Sequence, residues 1–174
     1  GEGFDLEAAP TRLQALIMFI RVLGEEEQAL AWSGTTPFKD IEKGSQAEHY
    51  VGYAYEKGYT NGYTATSFKP AGGVNAYQYT EFVLRAMGYS SAANKDLSDT
   101  LLRAVNAGVL TDGDAAMLQS AAFLRAQLVY ISYYALEADL PDGSQSLADY
   151  LMDLGVFTRD EWRSSWKLVK SERL

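Results

Sequence analysis

Apolar residues recur at helical spacing in three stretches of the chain that share a glutamine in their first turn, Gln14, Gln78 and Gln127. In each stretch apolar side chains follow at the i, i+3, i+4 and i+7 positions of an amphipathic helix. We refer to these stretches as the B helices. They are predicted from Thr11 to Leu23, from Asn75 to Met87 and from Leu124 to Leu136.

A second apolar-periodic segment also recurs three times, and each copy ends in glycine. The copies run from Tyr50 to Gly58, from Leu101 to Gly108 and from Leu147 to Gly155, so that their glycines stand about fifty residues apart. Glycine ends helices because it adopts the left-handed conformation without a Cβ clash. We refer to these as the A helices. The order B, A, B, A, B, A leaves the first repeat without its A helix, and we expect the last A helix to fill that place.

Residues typical of helix caps and turns predict the remaining elements. Capping boxes are expected at Ser45–Glu48 and Thr158–Glu161, the second opening a final helix over 159–170 that carries Trp162, Trp166 and Val169 on one face. Asp96 is expected to cap the second A helix, and Asp112-Gly113-Asp114 is expected in a loop. No segment shows sustained strand alternation. The chain is therefore predicted to be all-α.

The amino-acid composition excludes several kinds of functional site. The 174 residues include no cysteine and one histidine, His49, which excludes disulfides, thiolate metal sites and multi-histidine metal sites. A net charge of -8 disfavours a nucleic-acid surface, and no apolar run reaches the roughly 20 residues of a membrane span. Glu25-Glu26-Glu27 is expected in a solvated turn before a short helix, and His49 on a helix surface rather than as a general base. The chain opens at Gly1, so we expect a processed or trimmed fragment.

Several short motifs then occur in a characteristic order. Phe38-Lys39-Asp40-Ile41 precedes an aromatic-rich A helix, Phe68-Lys69-Pro70 precedes a B helix, and Thr11-Arg12-Leu13-Gln14 opens the first B helix. In this order and spacing the motifs resemble the S-layer homology family of bacterial cell-surface proteins. The resemblance spans one nearly complete repeat, a half repeat and a degenerate copy. Over residues 1–174 it divides a single domain into a half repeat 4–32, repeat two 38–89, a degenerate repeat three 96–136 and closing helices 145–170.

The resemblance implies a fold and a ligand. Three repeats would form a pseudo-threefold helical bundle, the first repeat being completed by a C-terminal helix. The inter-repeat grooves would hold secondary cell-wall polysaccharide or a peptidoglycan-linked glycan, with a family arginine on the pyruvyl ketal carboxylate. Arg12 and Arg125 match that arginine, whereas Ala76 replaces it in the second copy and offers no guanidinium fork.

Candidate ligand-binding residues follow from the helix starts and the aromatic positions. A helix N-terminus offers free amide donors and a favourable dipole to an anion, although a first-turn arginine is more commonly solvated or paired with a carboxylate. Most tyrosines are expected in the core, and Tyr63 and Tyr77 are the better ligand candidates. The predicted set is Thr11, Arg12, Gln14, Asn75, Gln78, Arg125, Gln127, Tyr63 and Tyr77.

These features predict a non-catalytic, extracellular module of the bacterial cell wall or cell surface, without cofactor, metal site or membrane span. It would anchor a surface protein by binding wall polysaccharide. The alternative is a structural or protein–protein interaction module that keeps the fold without the glycan, with partners on the cell surface. The acidic net charge and the missing arginine at Ala76 favour this alternative. A carbohydrate-active enzyme domain is the least favoured reading.

Overall fold

A computed structural model of the protein describes residues 5–92 and 96–168, with side chains described as far as residue 165. Within these residues it contains helices and isolated bridges but no strand, so the all-α prediction is confirmed. Phe4, Val169 and Lys170, which belong to predicted elements, lie outside the described residues. The helices are α1 (Arg12–Val22), α2 (Glu26–Ala31), α3 (Gln46–Glu56), α4 (Ala76–Ala86), α5 (Thr100–Asn106), α6 (Asp112–Ser120), α7 (Arg125–Glu137), α8 (Leu147–Asp153) and α9 (Arg159–Leu168).

The three predicted B helices are α1, α4 and α7, and each of them contacts the other two. Their apolar stripes meet in one continuous core because a helix with an amphipathic face must bury that face against another element. Fully buried side chains from all three helices form its centre: Leu16, Ile20, Tyr79, Leu84, Leu128 and Ile131. The core therefore lies along the B helices, and their ends face the surface.

The predicted A helices are α3, α5 and α8, which pack on α1, α4 and α7 respectively. Each ends at a glycine in the left-handed conformation, with φ of 76° at Gly58, Gly108 and Gly155. The residue after each glycine donates its amide back into the last turn; Tyr59, for example, donates to the Ala54 carbonyl at 2.8 Å. This ending satisfies otherwise free helix carbonyls.

The N-termini of two B helices dock onto the chain in the same way. The amides of Arg12 and Leu13 donate to the carbonyls of Gly72 and Pro70, just before α4. The amides of Arg125 and Ala126 donate to the carbonyls of Ala8 and Leu6, just before α1. The corresponding contact of α4 is absent among the described residues. The pseudo-threefold arrangement of repeats stays a prediction.

The closing role of α8 also stays a prediction. Helix α8 packs on α7, and the segment after it reaches the C-terminal end of α1. A Cβ built on Gly24 would lie 2.6 Å from Cγ1 of Val156, so the absence of a side chain at Gly24 permits this approach. Glycine is also the residue that tolerates the φ of +71° found there.

Three local predictions are wrong. Residues 112–114 open helix α6 rather than a loop, because Thr111 and Asp114 form a capping box. Asp96 does not cap α5: the residue at that position is Asp99, and Asp96 accepts from the Ser98 amide instead. The carboxylate of Glu48 accepts from the amide of Gly44 rather than from that of Ser45, so the box at α3 is only half formed.

The glutamates before and within α2 are also bound more closely than expected. Glu26 accepts from the hydroxyl of Tyr50 and from Arg21, and Glu25 accepts from the hydroxyl of Tyr59. These bonds join α2 and the preceding turn to α1 and α3. The carboxylates of Glu25 and Glu26 are thus hydrogen-bonded and half-buried, whereas Glu27 is exposed as expected. The His49 ring, on α3, lies with Nδ1 2.6 Å from the carbonyl oxygen of Trp32, as suits a structural histidine.

A buried carboxylate ties α4 to the chain that follows it. Glu81 is 1% exposed and accepts from Arg85 and Arg103, at 2.9 and 2.6 Å. The hydroxyl of Thr100 and the amide of Ala92 donate to the same carboxylate. A buried charge is tolerated only when it is paired and hydrogen-bonded, and all of these partners are needed to offset its desolvation.

We predict that Glu81→Gln destabilises the protein by about 3 kcal/mol, because it leaves Arg85 and Arg103 without their anionic partner in a largely buried place. The matched control is Glu27→Gln, an exposed acid on α2, which should change stability by less than about 0.5 kcal/mol. Urea denaturation measures both. Equal effects would contradict a structural role for this ion network.

The same network predicts an acid sensitivity. Burial acts to raise the pKa of Glu81, but its hydrogen bonds with Ala92, Arg103 and Thr100 and the charge of Arg85 outweigh burial and bring the pKa below the ordinary 4.5. A carboxyl with a lowered folded-state pKa stabilises the protein above its unfolded pKa and loses that effect as the pH falls through the folded one. The stability difference between wild type and Glu81→Gln should therefore be full at neutral pH and shrink in acid. A difference that does not change with pH would contradict this account.

Candidate ligand-binding groove

A groove of about 900 Å³ runs between the N-terminal ends of α1 and α4. The loop of residues 60–65 forms one wall, and residues 91–92 and 96–98 form another. Five predicted site residues line it: Arg12, Tyr63, Asn75, Tyr77 and Gln78. We refer to this space as the Arg12 groove.

Arg12 is the most constrained cation in this groove. It is 3% exposed, and its Nε donates to the carbonyl of Phe68 at 2.8 Å. The guanidinium carbon lies 4.9, 5.4 and 5.8 Å from the ring centroids of Phe68, Phe82 and Tyr63. Such ring faces attract a cation. Burial lowers the pKa of Arg12 to about 10, against the opposing influence of Tyr63 and Asp40, so the side chain stays charged at neutral pH.

The loop that holds Arg12 is itself organised by Asp40. The carboxylate of Asp40 accepts from the amides of Phe68 and Lys69 at 2.9 and 2.8 Å, and from the hydroxyl of Ser67 at 2.7 Å. Partial desolvation opposes ionisation, but these bonds outweigh it and lower the pKa of Asp40. Lys69 adopts a φ of 58°, which is uncommon for a residue with a side chain. The Phe-x-Asp motif thus fixes the turn whose carbonyl orients Arg12.

Helix α4 turns its N-terminus toward the same groove. Asn75 caps it, and the Gln78 side chain completes the capping box. Within residues 5–92 and 96–168, no hydrogen-bond acceptor is found for the amides of Ala76 and Tyr77. The partial positive charge of this helix end adds to the charge of Arg12. The groove therefore combines a guanidinium with open backbone donors, which suits an anionic or hydroxyl-rich ligand.

Four predicted site residues are not brought into this groove. Thr11 and Gln14 cap α1, and the amides of Arg12 and Leu13 are already bonded, so the expectation of free first-turn donors on α1 is wrong. Arg125 and Gln127 lie at the start of α7: Arg125 Nη1 is 3.5 Å from the Asp5 carbonyl, and Gln127 accepts from the Leu124 amide. The α7 amides are bonded as well. The groove thus receives a side-chain donor from α1 and backbone donors from α4.

Several lining residues escaped the sequence analysis. Phe82 and Arg85 follow Gln78 at helical spacing and share its face of α4, so the periodicity contained a signal for them. Glu81 lines the groove too and neutralises Arg85. Asp96 and its neighbours lie on the segment between α4 and α5, where no periodic signal exists. Arg12 is therefore the groove-lining cation that has no carboxylate partner among the described residues.

The family comparison matches this part of the molecule. Residues 37–75 match the S-layer homology domain. The chain contains an S-layer homology domain. This matched segment includes Asp40, the Phe68 loop and the cap of α4, which build one side of the groove. Arg12 lies outside it, so the groove forms where the matched repeat meets α1.

A relative provides a second comparison. A protein named "Cell surface protein" from Thermoanaerobacter kivui is 30% identical over 126 residues, which cover 66% of this chain and 16% of that protein. The aligned region is thus less than a fifth of the relative's length. No solved structure matches the chain. The family and the relative both point to the cell surface.

Two kinds of feature are absent from the described residues. None of their helices is both long and apolar enough to cross a lipid bilayer. Their histidine, aspartate and glutamate side chains form no group of three that could hold a metal ion.

We predict that Asp40→Ala destabilises the protein by about 2 kcal/mol, because it leaves the amides of Phe68 and Lys69 and the Ser67 hydroxyl without their acceptor. Glu42→Ala, at an exposed acid two residues further on, is the matched control and should have little effect. Thermal or urea unfolding measures the difference. Equal stability of the two variants would show that Asp40 does not organise the loop.

Proposed function

We propose that this chain is a non-catalytic anchoring module that retains a protein on the bacterial cell surface by binding an anionic cell-wall polysaccharide in the Arg12 groove. The buried Arg12 guanidinium carries the proposal. Its Nε is used by the Phe68 carbonyl, which leaves the two terminal nitrogens for a ligand. A guanidinium binds a carboxylate through two parallel hydrogen bonds, so a pyruvyl ketal is a suitable group.

The surroundings of Arg12 strengthen its contact with a carboxylate. Because Arg12 is held by a carbonyl and three aromatic rings, little side-chain freedom remains to be lost on binding. Because the site is largely desolvated, a charge-assisted hydrogen bond is stronger there than at an exposed arginine. Tyr77 adds an aromatic ring against which a sugar ring can pack, whereas the Tyr63 ring already lies beside Lys69, whose Nζ is 3.7 Å from the ring centroid.

The net charge of -8 does not decide against this ligand. Interaction at a groove depends on the local field, since charges beyond about 10 Å are screened at ordinary ionic strength. In the groove, the carboxylate of Glu81 is paired with both Arg85 and Arg103, and that of Asp96 accepts from the amide of Ser98. The local balance near Arg12 is therefore far less acidic than the whole chain.

A second function, protein–protein interaction, is favoured by a different observation. The α7 N-terminus, which the sequence predicts as another glycan site, is covered by residues 6–8 of the same chain. Ala76 provides no arginine in the α4 copy. A module with one remaining groove would bind wall glycan less tightly than one with several, and its other faces would be free for partners.

The test is co-sedimentation of the chain with purified bacterial wall sacculi, before and after removal of the pyruvyl ketal. Arg12→Gln should reduce retention at least about tenfold, because it removes a charge-assisted, bidentate contact. Arg125→Gln and Arg21→Gln should retain wild-type binding, since these arginines lie away from the groove. Arg12→Lys keeps the charge without the fork and should bind at an intermediate level.

Circular dichroism and thermal unfolding of each variant separate lost binding from lost folding. Retention that survives both Arg12→Gln and ketal removal would contradict the glycan proposal. Retention that is lost with a folded Arg125→Gln variant would move the site to α7.

A further inference from the structure

The opposite end of the bundle contains a second cleft, of about 750 Å³, that the Arg12 groove does not reach. It lies where α1, α3 and α4 end, with the end of α8 beside them. Its wall includes the aromatic rings of Tyr53, Tyr59 and Tyr150, together with the carboxylate of Glu25. We refer to it as the tyrosine cleft.

The helix ends give this cleft its electrostatic character. Helices α1, α3 and α4 each have 11 residues, and all three direct their C-terminal ends here. A helix C-terminus carries partial negative charge from its last carbonyls. The tyrosine cleft is thus opposite in sign to the Arg12 groove, which faces the helix start of α4.

The side chains also give the tyrosine cleft a negative character. The hydroxyl of Tyr59 donates to both carboxylate oxygens of Glu25, at 3.0 and 2.9 Å, and so holds the carboxylate in the cleft wall. Tyr53 and Tyr59 meet edge to face with centroids 6.4 Å apart. Aromatic faces are negative, so an accessible ring face beside a carboxylate attracts an organic cation.

A cation of the chain itself already uses one of these faces. Lys57 Nζ lies 5.6 Å from the centroid of the Tyr53 ring, and Lys57 is exposed at the rim of the cleft. Among the described residues, no carboxylate or hydrogen-bond acceptor holds the Lys57 ammonium, so this exposed side chain can move away. The ring therefore accepts an ammonium in this structure, and a ligand ammonium would compete with Lys57 for it.

We propose that the tyrosine cleft binds an aliphatic ammonium group. The ammonium would lie against the faces of Tyr53 and Tyr150 with Glu25 as its counter-ion, and the cleft volume leaves room for the rest of the ligand. An ammonium of this kind occurs on the side chain of a diamino acid in a peptide and on an amino sugar. The proposal is independent of glycan binding in the Arg12 groove.

The test is a titration of the intact chain followed by its amide NMR signals. The probes are Nα-acetyl-lysine methylamide and glucosamine, and their matched neutral analogues are Nα-acetyl-norleucine methylamide and N-acetylglucosamine. We expect the charged probes to shift the amides of Gly24, Gly88 and Gly155, which line the cleft, and the neutral analogues to leave them in place. A larger response to the lysine derivative assigns a peptide ligand, and a larger response to glucosamine assigns a glycan.

Substitutions in the cleft test the roles of its individual residues. Glu25→Gln and Tyr150→Ala should each weaken binding about threefold to tenfold, whereas Glu27→Gln, the neighbouring exposed acid, should have no effect. Lys57→Gln should tighten binding, because it removes the competing ammonium. Tyr150 is 40% exposed, so its truncation should leave the fold intact. Neutral analogues that shift the same amides equally, no response to either charged probe, or unchanged binding in Glu25→Gln would overturn the proposal.

Discussion

The guanidinium of Arg12 is buried, and the structure around the groove supplies the contacts that stabilise this buried charge. An unpaired charge in such a place is costly unless polar groups replace the water it has lost. Here the Phe68 carbonyl and three aromatic rings replace that water, and no carboxylate among the described residues forms an ion pair with the guanidinium. Because the turn at Phe68 depends on Asp40, the site of the cation and the Phe-x-Asp motif are one physical unit. The carboxylate ligand that we propose would supply an ion-pair partner for this cation.

The two ends of the bundle carry partial charges of opposite sign. The B helices start on one side of the core and end on the other, so the Arg12 groove lies at the start of α4 and the tyrosine cleft lies at the ends of several helices. At one cleft, Arg12 and the N-terminus of α4 create positive character. At the other, Glu25, tyrosine faces and helix carbonyls create negative character. Under the two proposals, these ends would bind ligands of opposite charge.

Much of this architecture could be predicted from the sequence, because the signals were periodic or local. The B helices, the A helices and the glycines that end them follow from spacing alone, and so do the caps at Thr11 and Asn75. Helix α6 was missed because Asp112-Gly113 is typical of turns, although the Thr111–Asp114 capping pattern was present. The carbonyls that accept from the first-turn amides of α1 and α7 could not be predicted, since they lie far away in sequence. For the same reason the sequence predicts one role for both Arg12 and Arg125, which the fold places in different surroundings.

The most direct measurement of the central claim is the chemical environment of Arg12 itself. Titration of a pyruvylated wall disaccharide into the protein should shift the Arg12 Nε–Hε signal and the amides of Ala76 and Tyr77 together, with one affinity. The same disaccharide without its pyruvyl group should leave the Arg12 signal in place. Shifts confined to the start of α7, or an Arg12 signal that does not respond to the charged sugar, would contradict the account.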